Sequence, residues 1–280
     1  MLTSMAELTN IIKGIAAEVK VRETLQDDSI STVYLIDYQG IPSVLRLDKP
    51  VTDYLGLDRS AEFHLLSCFQ SYGFSPEPLY SDPREGILIY RFIEGKALTP
   101  TELGTKAKLV ELGKVIRSMH HLQLPDFKTR FVDQIRHYEK ELKNDADMSL
   151  LKRGIELFES LTKNEDDWVV CHNDLIAANL VQGERLFILD WEYASLNHPY
   201  FDLATVLENH AMTDSQSKQF LDAYSGKRQS IDLVQLDQWR QLTHYISLFW
   251  LMVIKKYATI SEKEKVTMVN LENRLSEAKG

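Results

Sequence analysis

The chain is poor in cysteine, has no block of basic residues and contains no apolar run long enough to cross a membrane, and each shortage removes a class of function. Only Cys68 and Cys171 occur among 280 residues, outside any C-x-x-C or Cys/His spacing, so neither a disulfide framework nor a structural zinc site is expected. Such sparse cysteine predicts a reducing, cytoplasmic setting. The most apolar late stretch, YISLFWLMVI at 245–254, falls far short of the roughly 20 residues a membrane span needs and reads as a buried helix face. The opening segment, MLTSMAELTNIIKGIAAEVK, lacks the basic and then apolar order of a signal peptide. With a formal net charge of −9 and no Lys/Arg cluster, nucleic acid is not an expected partner. A small cation suits that balance better.

What is present suffices for a sizeable core: 44% of residues are hydrophobic and 26% charged, ordinary values for a globular chain. The first third alternates short β-like runs with turn residues. STVYLIDYQG and IPSVLRLDKP read as a hairpin closed at Gln39-Gly40, DRSAEFHLLSCFQSYG as a helix ended by Gly73, and ILIYRF at 87–92 as a further strand. From Thr99 onward apolar residues recur at spacings of three and four, as in PTELGTKAKLVELGKVIRSMHHL and DQIRHYEKELKNDADMSLLKRGIELFESL, which predicts long helices. The expected class is therefore α+β. Residues 1–92 form a small sheet lobe with one main helix and residues 93–280 a larger, mainly helical lobe, the boundary lying in IEGKALTP at 93–100.

Two strand ends carry polar residues that a core does not need. VVCHNDLIAANL at 169–180 presents His172, Asp174 and Asn179, and LFILDWEYA at 186–194 presents Asp190 and Glu192. Asp174 can accept a proton from a hydroxyl, while Asn179 and Asp190 supply hard oxygen ligands suited to Mg²⁺. Cys171, next to His172 on a strand, points to the opposite face and reads as an inert buried thiol. His120-His121 reads as packing and surface, since helical neighbours diverge by about 100°.

The order H-x-D-x-x-x-x-N, apolar strand, D-W-E-Y-A resembles the aminoglycoside phosphotransferase and choline kinase superfamily, relatives of protein kinases. LDWEYA and the later PYFDLA look most like its choline, ethanolamine and thiamine kinases. The resemblance implies a two-lobed protein-kinase-like fold using ATP and Mg²⁺. It implies that Arg46, in SVLRLDKP, contacts phosphate and pairs with Glu62, and that the segment Tyr90, Arg91 and Phe92 receives adenine. It makes Asp174 the residue that positions the acceptor hydroxyl and Asn179 and Asp190 the metal ligands. His172 and Asp202 become structural supports of the loop, Asp202 also as a helix cap. Glu192, Tyr193, Tyr245 and Trp250 would meet a cationic acceptor by charge and cation–π attraction. Choline or ethanolamine is the first expectation, with thiamine or an aminoglycoside as alternatives. A reading from another class is a pseudokinase acting as a binding module. One departure is expected to weaken nucleotide binding: the first turn reads LQDDSISTVYLI, with Asp27-Asp28 where the family usually carries a small, often glycine-bearing turn.

Overall fold

The structure is a computed structural model that describes residues 5–15, 17–124, 126–144, 148–210, 212–226 and 230–277. Strands β1 (Val19–Asp27), β2 (Ser31–Tyr38), β3 (Ile41–Asp48), β4 (Pro78–Asp82) and β5 (Ile87–Arg91) form one antiparallel sheet in the order β1-β2-β3-β5-β4. The β2–β3 hairpin turns at Gln39 and Gly40, with φ of 51° and 79°, the left-handed pair that a two-residue hairpin loop demands. Helix α1 (Met5–Gly14) precedes the sheet, and α2 (Arg59–Phe69) sits between β3 and β4. The Asp58 carboxylate caps α2 by accepting from the Ala61 N–H, and Gly73, at φ 73°, ends the short 3₁₀ turn that extends it.

Side-chain alternation gives this sheet two unlike faces. Tyr34, Ile36, Leu45, Leu47, Ile87 and Ile89 close a core on one face with Leu8 and Ile15 of the N-terminal segment. On the other, Leu88 joins Leu65, Leu66 and Phe69 of α2 in the main core of the molecule. Arg46 pairs in register with Leu88 and so points toward α2 and the other lobe.

The remaining chain holds β6 (Lys96–Ala97), α3 (Pro100–Leu103), α4 (Lys106–His120), α5 (Phe131–Leu142), α6 (Met148–Leu161), β7 (Val169–Cys171), β8 (Leu180–Gln182), β9 (Leu186–Ile188) and β10 (Ser195–Asn197). After these come α7 (Tyr200–Asn209), α8 (Asp214–Ser225), α9 (Leu233–Tyr257) and α10 (Glu262–Glu277). The helical stretch expected from residue 100 forms two helices, α3 and α4, separated at Gly104 and Thr105. The periodic stretch after it is also two, α5 and α6. Short antiparallel pairs, β7 with β10 and β8 with β6 and β9, fix the loops between them. Helix α9 forms the spine of the helical lobe. At Gly154 of α6 an added Cβ would stand 2.5 Å from Phe249 Cζ and 2.9 Å from the Tyr245 ring, so only glycine lets the two helices meet there. No helix among the described residues is long and apolar enough to cross a membrane.

Glu208 of α7 ties α9 and α10 together. Its carboxylate accepts from Arg240 Nε at 2.6 Å and His244 Nε2 at 2.7 Å, and lies 3.3 Å from Arg274 Nη2. Burial opposes ionisation, but the hydrogen bonds from His244 and Arg240 prevail and hold the carboxyl down at about 2. A folded-state value below the ordinary 4.5 means stabilisation that is complete above that pH and lost as pH falls toward 2. Glu208→Gln should cost roughly 2 kcal/mol at neutral pH. In urea titrations its deficit should shrink at roughly pH 3; a pH-independent deficit would assign the loss to packing.

Candidate active site

The loop after β7 is held by one carboxylate. Asp202, in the first turn of α7, accepts the Asn173 N–H with Oδ1 at 2.7 Å and the His172 N–H with Oδ2 at 2.9 Å. It is fully buried and serves the loop, not as the cap of its own helix, whose N-cap position is Pro199. His120 corrects its reading as mere packing: Nε2 reaches Asp202 Oδ2 at 3.1 Å and Nδ1 reaches the Tyr224 hydroxyl at 2.9 Å. Cys171 lies against these two, but its thiol donates to the Asn197 and His198 carbonyls, and burial pushes its pKa up. All three are thus engaged within the protein.

His172 is locked as a brace. Its Nε2 bonds the Leu189 carbonyl at 2.9 Å, its Nδ1 accepts the Asp174 N–H at 3.2 Å, and its ring meets Trp191 edge-on at 4.7 Å. That pattern sets the neutral Nε2–H tautomer, and burial lowers the imidazole pKa. Asn173, unremarked in the sequence, takes a left-handed φ of 65°, which asparagine tolerates better than most residues. Its amide donates to the Tyr193 carbonyl and the Ser195 hydroxyl, both at 2.8 Å, and accepts from Asn197 at 2.9 Å. The loop is therefore pinned to both strand ends.

Asp174, Asn179 and Asp190 face one cleft. Asn179 Nδ2 donates to the Asp174 carbonyl and to Asp174 Oδ2, each at 2.9 Å, which leaves its Oδ1 as the acceptor for a cation. Burial and then the charge of Glu192 push the Asp174 carboxyl up to about 7, against the Asn179 hydrogen bond. Asp190 holds φ 63°, a strained conformation for a non-glycine residue and a mark of functional sites. Burial and Glu192 also raise its pKa, while Arg46 Nη1, at 3.2 Å from its Oδ1, opposes the rise.

Arg46 makes a two-pronged pair with Glu62, at 2.8 and 2.5 Å. Sequence reasoning missed its companion Arg59, which holds Asp48 through two nitrogens at 2.6 and 2.8 Å and reaches Glu62 at 3.1 Å and Glu192 at 2.9 Å. Its position at the start of α2, in LDRSAEF, was the available signal. Two guanidiniums thus face four carboxylates, Asp48, Glu62, Asp190 and Glu192. Glu192 Oε1 is buried without a hydrogen-bond partner. Excess negative charge, an all-oxygen donor set and an orphaned carboxylate oxygen fit a hard divalent cation.

At the other side of the sheet lobe, the Arg91 N–H donates to the Glu77 carbonyl at 2.8 Å and the Phe92 N–H to the Pro42 carbonyl at 3.0 Å. These donors serve the sheet, so a base docked there would need carbonyls of this segment or donors beyond Phe92. The Tyr90 phenol is raised by burial and then by the charge of Asp190.

The cleft has a volume of about 1420 Å³, and its lining includes the aromatic side chains Tyr138, Tyr193 and Trp250. Trp250 Nε1 donates to the Tyr193 hydroxyl at 2.6 Å, and the Tyr138 hydroxyl accepts from Gln134 at 2.9 Å. Tyr245, expected here, lies elsewhere: it is 3% exposed and packs against α6. Helical phase explains the correction, since Thr243, Ile246, Ser247 and Trp250 present the cleft-facing stripe of α9 and Tyr245 falls on the opposite side. Tyr138 and Gln134, on α5, were not singled out because an aromatic in an amphipathic helix reads as core.

The choline/ethanolamine kinase family model matches residues 19–252. Protein LicA of Haemophilus influenzae (strain ATCC 51907 / DSM 11121 / KW20 / Rd) is 30% identical over 208 residues, covering 69% of this chain and 75% of that protein. The structure of choline kinase LicA from Streptococcus pneumoniae superimposes with a TM-score of 0.75 at 20% identity, over 96% of this chain and 97% of that one. A structure of LicA in complex with AMP gives 0.78 at 19% identity, with the same coverage. Sheet lobe, helical lobe, pinned loop and family match agree: this chain belongs to the choline/ethanolamine kinase family, phosphotransferases with an alcohol acceptor.

Proposed function

We propose that the protein transfers the terminal phosphoryl group of ATP to the hydroxyl of choline, with ethanolamine as the second acceptor. The observation that carries this reading is the shared cleft of Asp174 and Asp190, whose acceptor end is walled by the hydrogen-bonded Tyr193–Trp250 pair. Nucleotide would bind on the side of residues 1–92 and acceptor on the side of residues 93–280. ATP as donor and two free thiols suit a cytoplasmic setting.

The chain's residues divide the work. Tyr193, Trp250 and Tyr138 offer ring faces to a quaternary ammonium, and the nearby carboxylates supply the charge that a primary ammonium needs. Asp174, fixed through Asn179 and the His172 brace, accepts the hydrogen bond of the acceptor hydroxyl and turns its oxygen toward the phosphate. Arg46, presented by the Glu62 pair, meets phosphate oxygens as a planar fork. Asn179 Oδ1 and Asp190 would hold Mg²⁺, which when bound neutralises charge on the transferring group.

A coupled ATP-consumption assay across choline, ethanolamine, thiamine and kanamycin tests the assignment, with choline giving the highest kcat/KM; turnover with none of the first two would sink it. Asp174→Asn should lower kcat by on the order of 10²-fold or more with nucleotide affinity nearly unchanged. His172→Gln should cost less, and the reverse ranking would exchange their roles. Trp250→Leu should raise the choline KM about 10-fold and the ethanolamine KM less, because the ring face matters most to the bulkier, less strongly hydrated cation.

A further inference from the structure

The Asp27-Asp28 turn between β1 and β2 borders the same cleft as Asp190 and Asn179, yet its Asp28, Ile30 and Ser31 N–H groups are already taken within the turn. The Asp28 carboxylate already accepts the Ile30 N–H at 2.9 Å and the Ser31 N–H at 2.8 Å. The turn is also held from its far side, where Ser29 Oγ donates to Glu264 of α10 at 3.2 Å and Ile30 packs into the α9–α10 core. Its negative charge is met by Lys49, whose ammonium donates to Asp27 Oδ1 at 2.8 Å and to the Asp28 carbonyl. Lys49 directly follows β3, its N–H bonds the Ile30 carbonyl at 2.8 Å and its carbonyl accepts from Thr52. The side chain is 16% exposed and lines the cleft. Among the described residues that line the cleft, the cationic side chains are Lys49 and Lys263, and Lys263 stands exposed on α10.

We propose that Lys49 is a nucleotide-contacting residue, its ammonium exchanging Asp27 for the outer phosphates and so replacing the glycine N–H groups that this turn lacks. The inference rests on the nucleotide reading of the cleft. Three features support the exchange. A Lys ammonium is a compact point charge with three donors on a flexible stem, so it can change partners without moving the backbone. Asp27 retains a second partner, Thr32 Oγ1 at 2.8 Å, so releasing Lys49 does not strip that carboxylate bare. Arg46 is already shared among four carboxylates, which leaves the outer phosphates in need of another cation.

Calorimetric titration of adenosine and ADP, with Mg²⁺ present, into the wild type and its variants separates this role from a merely structural latch. Lys49→Met should weaken ADP binding about 10-fold, the worth of one charge-assisted contact, and leave adenosine binding unchanged. Lys49→Arg should recover most of the loss. Asp27→Asn should tighten ADP binding several-fold, since it removes both a competitor for Lys49 and a repelling charge. That gain should disappear in the Lys49→Met/Asp27→Asn double variant, and melting curves check that each variant is folded. Unchanged ADP affinity in Lys49→Met overturns the proposal, as does an equal loss of adenosine and ADP or a gain from Asp27→Asn that persists in the double variant. A wild type that binds neither compound overturns the nucleotide reading itself.

Discussion

Glu192 puts one carboxylate oxygen between two guanidiniums of the opposite lobe, 2.9 Å from Arg59 and 3.7 Å from Arg46, and the geometry of the cleft depends on that bridge. It joins β3 and α2 to the strand end that carries Asp190, with Glu62 and Asp48 completing the cluster. Buried ion pairs contribute little net stability compared with well-packed apolar residues, while removing one partner leaves a stranded charge and costs about 3–5 kcal/mol. Such a cluster therefore serves to hold one relative placement of the lobes more than to strengthen the fold. It also leaves negative charge unsatisfied, since carboxylates outnumber guanidiniums and Glu192 Oε1 has no partner.

The loop after β7 obeys a second constraint, the satisfaction of its backbone donors. Asp202 takes the N–H groups of His172 and Asn173, and His172 takes that of Asp174. Buried N–H groups left unpaired would each cost about 1–3 kcal/mol, so the loop has little freedom to adopt another path. Asn173 is held at positive φ by this surrounding structure. The chain from Tyr224 through His120 to Asp202 extends the support into α8 and α4. Positioning of this kind is what a reaction dominated by orientation and electrostatics requires.

Much of this was legible along the chain because it is written locally. Hairpin residues Gln39-Gly40, the stop at Gly73 and the apolar runs ending in His172 to Asn179 and Asp190 each declare themselves within a few residues. The long-range partners were not. Arg59 is one more charged residue in a helical segment until the fold brings it 2.9 Å from Glu192, 133 positions away. Asp27 and Asp28 read as raw negative charge, whereas a contact with Lys49, 22 positions on, meets Asp27, and Asp28 accepts from the backbone of its own turn.

The sequence by itself determined the family, the division into a sheet lobe and a mainly helical remainder, and the polar residues at two strand ends, since periodicity, turn residues and motif spacing are properties of neighbours along the chain. Only the tertiary structure decided which side chains share the cleft. It turned Tyr245 into the α6 contact and Trp250 toward Tyr193, committed the Arg91 and Phe92 N–H groups to the sheet, and brought Tyr138 in from another helix. The reason is rotational phase and packing: a helix rotates about 100° per residue, and which arc faces the cleft is set by the neighbours it packs against.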